Sequence, residues 1–125
     1  FNARRALCRC SQLFGVVSAM DQKLKADWIR ALRSGEYEQG KGRLYDKAHE
    51  SHCCLGVLCR VAGLTITEHG NGVVGARTGE DDYQPIYDLL GVNKIATELW
   101  RLNDGNDRAP RSFPEIADYI EMEIP

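Results

Sequence analysis

One stretch constrains this chain more than any other: His52 to Leu64, His-Cys-Cys-Leu-Gly-Val-Leu-Cys-Arg-Val-Ala-Gly-Leu. Between Cys53 and Cys59 it has no charged or strongly polar side chain, and its apolar residues go all the way round a helical wheel. A helix of that kind has to be buried on nearly every face. The chain has no second segment like it, so the other elements are expected to pack around it. Gly63 supplies the stop, and Leu64 is placed for the hydrophobic contact of a Schellman ending.

The wrapping elements follow from periodicity. Leu24, Trp28, Ala31 and Leu32 fall at i, i+4, i+7 and i+8, which predicts a helix over about Lys23–Arg33 stopped by Gly35. Glu36–Ser51 is polar and glycine-rich, with a strand-like piece at Arg43-Leu44-Tyr45. A hairpin from about 42–46 back through 50–53 would deliver the chain into the central helix. Thr65–Arg77 reads as a second hairpin: Thr65-Ile66-Thr67 is β-branched, Gly70-Asn71-Gly72 is a turn signal, and Val73-Val74 starts the return. Thr78–Asp82 reads as an acidic loop, and Gln84–Leu90 as a helix with Pro85 in its first turn and Gly91 past its end. Asn93 is an N-cap candidate for a helix through about Leu102, with Ile95, Leu99 and Leu102 on one face. Asn103–Arg111 reads as a polar loop. Ser112-Phe113-Pro114-Glu115 is a capping box opening a last helix striped by Phe113, Ile116, Ala117, Ile120 and Ile124.

The expected fold class is therefore α+β: a single small domain of four to five helices around a buried central helix over about 52–63, with one or two short β-hairpins. At 125 residues such a domain buries roughly 65% of its unfolded surface. Residues 20–125 form that domain. Residues 1–19 read best as upstream sequence ahead of a natural start at Met20. Arg4 and Arg5 before an apolar region resemble a signal peptide only faintly, because Arg9, Ser11 and Gln12 interrupt it. The alternative is an added helix with Leu7, Leu13, Phe14 and Val17 facing the body.

The five cysteines are odd in number, three lie in the central helix and two are adjacent, unlike a secreted disulfide framework. A reduced, cytoplasmic setting is expected, and no apolar run approaches the length a bilayer needs. Residues 1–63 carry 11 Lys/Arg against 6 Asp/Glu, and residues 64–125 carry 5 against 12. The halves can attract each other within one molecule or across a homodimer, or the basic half can meet an anion.

Five features invite chemistry. Cys53, Cys54 and Cys59 have neither the spacing nor the second pair of a zinc site, with His49 and His52 the nearest nitrogen ligands. Core packing is the simplest reading, and Cys53 beside His52 at a helix N-terminus is the alternative as a reactive thiol. Gly35 to Gly42 nearly spells a phosphate loop, but Gly42 stands where a hydroxyl should hold magnesium, and the segment follows a helix. Lys41, Arg43 and Lys47, with Tyr37, Tyr45 and His49, form the densest basic–aromatic patch and the candidate ligand-binding surface. The last helix carries Glu115, Asp118, Glu121 and Glu123 and no base, so it is not expected to read DNA. Asn103-Asp104-Gly105-Asn106-Asp107 has calcium-ligand chemistry without the spacing of an EF-hand, and reads as a turn. No metal or cofactor is expected.

Cys53-Cys-Leu-Gly-Val-Leu-Cys59, together with Leu102-Asn-Asp and Ser112-Phe-Pro-Glu-Ile-Ala-Asp-Tyr-Ile-Glu121, resembles a group of small uncharacterised proteins of phages, prophages and other mobile elements. The likeness covers about Met20 onward, and residues 106–111 look longer than the usual link. The resemblance implies a genomic setting and carries no catalytic residues. The expectation is a small non-enzymatic accessory protein that binds a host protein or a small anionic ligand through the Tyr37–His52 surface. The rival is a small enzyme using Cys53 or a Cys/His site.

Overall fold

The computed structural model describes residues 20–74, 81–91, 93–105 and 109–124. The reading of residues 1–19 therefore lies outside the described residues, as do Cys8 and Cys10. Among the described residues are five α-helices and two small sheets, in the α+β arrangement expected.

Helix α1 (Gln22–Ser34) starts at Asp21, whose carboxylate accepts from the Lys23 amide, and ends at Gly35 with φ 80°. Its buried stripe is Trp28, Ile29 and Leu32. The Trp28 indole Nε1 donates to the Cys54 carbonyl at 2.9 Å, which pins α1 to the first turn of the central helix.

The central helix, α2 (Cys54–Ala62), buries every residue from Cys54 to Cys59. Its end is the expected Schellman motif: Gly63 has φ 80° and donates to Arg60, and the Leu64 amide donates to the Cys59 carbonyl at 2.9 Å. Its start differs from the expectation. The helix begins at Cys54, Cys53 is its extended N-cap, and His52 lies in a strand. Periodicity alone does not separate a buried strand from a buried helix turn, because both faces of each are apolar.

That strand, β3 (Ser51–His52), is the centre of a three-stranded sheet with β1 (Glu38–Gln39) and β2 (Tyr45–Asp46), in the order β1-β3-β2. The antiparallel β2–β3 hairpin is the expected one, pairing Tyr45 with His52 and Asp46 with Ser51. The parallel β1–β3 pair was not legible beforehand.

The hairpin is seated by two glycines. A Cβ on Gly56 would lie 1.9 Å from the Leu44 carbonyl oxygen, so the backbone of α2 touches the backbone of the hairpin. On the other side Gly70, at φ 70°, brings its carbonyl within 2.6 Å of the Leu44 amide, and a Cβ there would strike the Tyr45 carbonyl.

The second hairpin forms around Gly70–Gly72: Ile66 bridges Val73, and the Val74 amide donates to Thr65. The expected acidic loop is corrected in part. Asp81–Asp82 is a strand, β5, paired antiparallel with β4 (Val73–Val74), since two β-branched residues offer it a ladder. Helix α3 (Gln84–Leu90) and its ending at Gly91 are as expected. Helix α4 (Asn93–Asp104) runs past Leu102, so Asn103 and Asp104 are helical rather than loop. Helix α5 (Phe113–Glu123) has the full capping box and buries Phe113, Ile116, Ala117 and Ile120. It packs on α1, where Arg33 reaches Asp118 at 2.6 Å and Glu121 at 3.1 Å. Arg33 thus joins the basic half of the chain to the acidic half at this one point.

The Gly56 contact sets a sign. Gly→Ala inside a helix normally gains up to about 1 kcal/mol. Here the added methyl meets backbone that cannot rotate away, and Gly56→Ala is expected to cost about 3 kcal/mol. Urea unfolding of the two proteins checks this as a lower midpoint at unchanged slope.

Candidate functional site

The residues from Tyr37 to His52 form the candidate site, and the sheet sorts them by face. Side chains alternate along a strand, so the Tyr45–His52 pair projects to one face and the Asp46–Ser51 pair to the other. Of the six candidate ligand residues, Tyr37 and Tyr45 stand against His52, with ring centroids 5.3 Å and 4.8 Å away. Lys41 and His49 instead line a groove of about 690 Å³ with Glu38, Gln39, Gly40, Asp46, Glu50 and Ser51. Arg43 and Lys47 are exposed beside it. The His49 Nδ1 lies 2.8 Å from Asp46 Oδ2, and the histidine beside it holds the Asp46 carboxyl below its ordinary range. The groove therefore carries three carboxylates against one lysine, a mixed surface where the sequence suggested a basic one.

Behind this hairpin lies a polar lock that sequence reasoning missed. Asn103 has no exposed surface, yet all four of its hydrogen-bonding positions are used. Its Oδ1 accepts from the Cys54 amide at 3.2 Å and from Gln39 Nε2 at 3.0 Å. Its Nδ2 donates to the Gly40 carbonyl at 2.8 Å and to Asp104 Oδ1 at 2.9 Å. The Cys53 side chain gives α2 no cap, so Asn103 caps it from another helix. Gln39 extends the lock, accepting from the Phe113 amide at 3.1 Å and donating to the Arg111 carbonyl at 2.8 Å. The same contacts occupy the Gly40–Gly42 part of the phosphate-loop candidate and Asn103 and Asp104 of the calcium candidate. The Gly40 and Gly42 amides go to the His52 carbonyl and to Asp104, and Asn103 faces inward.

On the other face, His52 is 8% exposed and packed by Tyr37 and Tyr45. Arg60 Nε donates to its Nε2 at 3.0 Å, so the ring is neutral with its proton on Nδ1, an atom with no partner among the described residues. Burial first, and the Arg60 charge second, push its pKa down to about 4. The Arg60 guanidinium carbon also stands 5.0 Å from the Tyr45 ring centroid. Arg60 was not among the sequence candidates. Its signal was its being the one charged residue in an otherwise apolar helix.

The cysteines fit core packing. Cys53, Cys54 and Cys59 are free thiols without exposed surface. Burial raises Cys53 to about 11, Cys59 to about 12 and Cys54 well above the usual thiol value. A helix N-terminus does not overcome that desolvation, and a nucleophile needs a thiolate. Among the described residues no group of three His, Cys, Asp or Glu is arranged to hold a metal ion, and no helix is long and apolar enough to cross a membrane.

A family described as "Domain of unknown function (DUF8296)" has a model that matches residues 20–80. That span holds α1, the three-stranded sheet, the central helix and β4, and so the whole candidate site. No curated protein and no solved structure matches the chain.

Three outcomes are expected. At neutral pH, Cys53, Cys54 and Cys59 resist alkylation by iodoacetamide in the folded protein and react fully in urea, read by peptide mass mapping so that Cys8 and Cys10 are scored separately. Asn103→Ala, which strands the Cys54 amide and Gln39, lowers stability by about 3 kcal/mol in urea unfolding. The folded state binds the His52 proton only near pH 4, whereas an unfolded histidine takes it near 6.5. Stability contributed by neutral His52 is thus complete above about pH 6.5 and falls as pH drops toward 4. His52→Phe should flatten that part of the urea-midpoint profile.

Proposed function

We propose that this protein acts by binding a protein surface through the hairpin face between Tyr37 and His52. The observation that carries the reading is a rigid hairpin presenting exposed side chains of both signs. Its backbone is held by Gly56 and Gly70, and the Gln39–Gly40 segment leading into it by Asn103, while Lys41, Arg43, Lys47, His49 and Glu50 stand out in solvent. A fixed backbone lowers the ordering cost of association, and interspersed charges favour specificity over raw affinity.

Between the two partner classes raised by the sequence, the groove favours a protein over a small free anion. Glu38, Asp46 and Glu50 would repel a phosphate or carboxylate entering it, whereas a protein partner can answer each sign with its opposite. The resemblance to proteins of phages and mobile elements makes a host protein the partner to test, and a cytoplasmic setting follows from the same reading. Among the described residues, the burial of Cys53, Cys54 and Cys59 weighs against the rival reading of a reactive cysteine.

The test uses the immobilised full chain and host lysate. Wild type is expected to retain a defined protein, and the Lys41→Ala/Arg43→Ala/Lys47→Ala variant less than about a tenth as much. Raising salt from about 0.05 M to 0.5 M should strip the partner from wild type. Equal retention by both, or indifference to salt, overturns the reading.

A further inference from the structure

We infer that Arg60 is an oxyanion anchor, which binds a carboxylate or phosphate group through its two terminal nitrogens while its guanidinium stands over the Tyr45 ring. The inference rests on the binding reading only in that the same hairpin carries both, for this anchor lies on the face opposite the Lys41–His49 groove, and it adds the chemistry of the ligand.

Three observations carry it. First, Arg60 is exposed but already positioned: Nε is held by His52 Nε2 at 3.0 Å, and the guanidinium lies 5.0 Å from the Tyr45 centroid. The ordering that usually weakens an exposed arginine's contacts has largely occurred before any ligand arrives. Second, its partners leave its charge unanswered. Arg30, Arg33 and Arg101 each pair with a carboxylate, whereas Arg60, like Arg43 and Arg111, pairs with none among the described residues, and of these three it is the one whose Nε is held by another side chain. The group that orients it is a histidine that must be neutral to accept the Nε proton. Third, a guanidinium has five N–H donors and His52 takes one. The four on Nη1 and Nη2 donate to no described residue and form the fork that matches two oxygens of one oxyanion.

The bland account is that Arg60 sits in the last turn of α2, where a cation suits the helix dipole, and covers Tyr45. A lysine would serve the dipole equally well. Only an arginine can donate a fixed Nε to His52 and keep a second edge for a ligand, and this difference makes the anchor testable.

The experiment follows the arginine Nε–H and backbone amide resonances of the isotopically labelled full chain at pH 7 and constant ionic strength. Sodium acetate and inorganic phosphate are titrated separately, with sodium chloride as the reference. The Arg60 Nε–H and Tyr45 amide signals are expected to shift saturably with a millimolar midpoint, while Arg30, Arg33 and Arg101 change only as they do in chloride. Saturation by acetate alone assigns a carboxylate ligand, by phosphate alone a phosphate, and by both a general oxyanion anchor. Arg60→Lys should abolish the saturable Tyr45 shift with the amide spectrum otherwise preserved. Tyr45→Leu, which leaves Arg60 in place, should weaken the midpoint several-fold. Shifts that stay linear, match chloride, or survive Arg60→Lys overturn the anchor. The lysate experiment varies Lys41, Arg43 and Lys47 and leaves Arg60 untouched, so failure of one reading does not imply failure of the other.

Discussion

The position of everything described above depends on one backbone-to-backbone contact, Gly56 of α2 against the carbonyl of Leu44. Helices normally meet other elements through side chains, and an interposed methyl group would hold the hairpin off the helix. With no Cβ at Gly56 the hairpin lies directly on α2, where the Cys53 amide donates to the Leu44 carbonyl at 3.3 Å and Leu44 is wholly buried. Removing that much side chain from a helix interior costs propensity. The contact is what the residue provides instead, and it fixes both where β3 ends and where α2 begins.

Asn103 completes what Gly56 starts. The hairpin, the N-terminus of α2 and the C-terminus of α4 converge on its amide, and Gln39 carries the connection to the start of α5. A buried network of this kind helps only when each member is satisfied, and for Asn103 each is. Two segments far apart in the chain, Cys53–Cys59 and Leu102–Asp104, prove to be parts of one joint. A short run such as Leu102-Asn-Asp says nothing about this, because an asparagine after a helical stripe reads equally well as a turn.

The chemistry of the site follows from where burial is complete and where it stops. Complete burial makes the three cysteines poor nucleophiles and turns a cysteine-rich segment into ordinary core. Burial in the strand just ahead of that helix likewise favours the neutral form of His52. His52 is kept neutral, and being neutral it can orient Arg60 without cancelling its charge. The helix therefore presents Arg60 from its exposed last turn, while its apolar body holds the hairpin that carries Lys41, Arg43, Lys47 and His49.

The sequence by itself determined the elements and their burial: the helices near their observed limits, the Schellman ending at Gly63, the capping box at Ser112 and the enclosure of Cys54–Cys59. These are properties of neighbouring residues, set by helical periodicity and by local cap hydrogen bonds. Only the tertiary structure decided that β1 runs parallel to β3, that Asn103 caps a helix other than its own, and that Tyr37 and Tyr45 stand with His52 while Lys41 and His49 line a groove on the other side. Each of these joins residues that a linear pattern does not connect. The strands are two residues long, too short for alternation to show, and an asparagine's partners are unspecified until the backbone is in place.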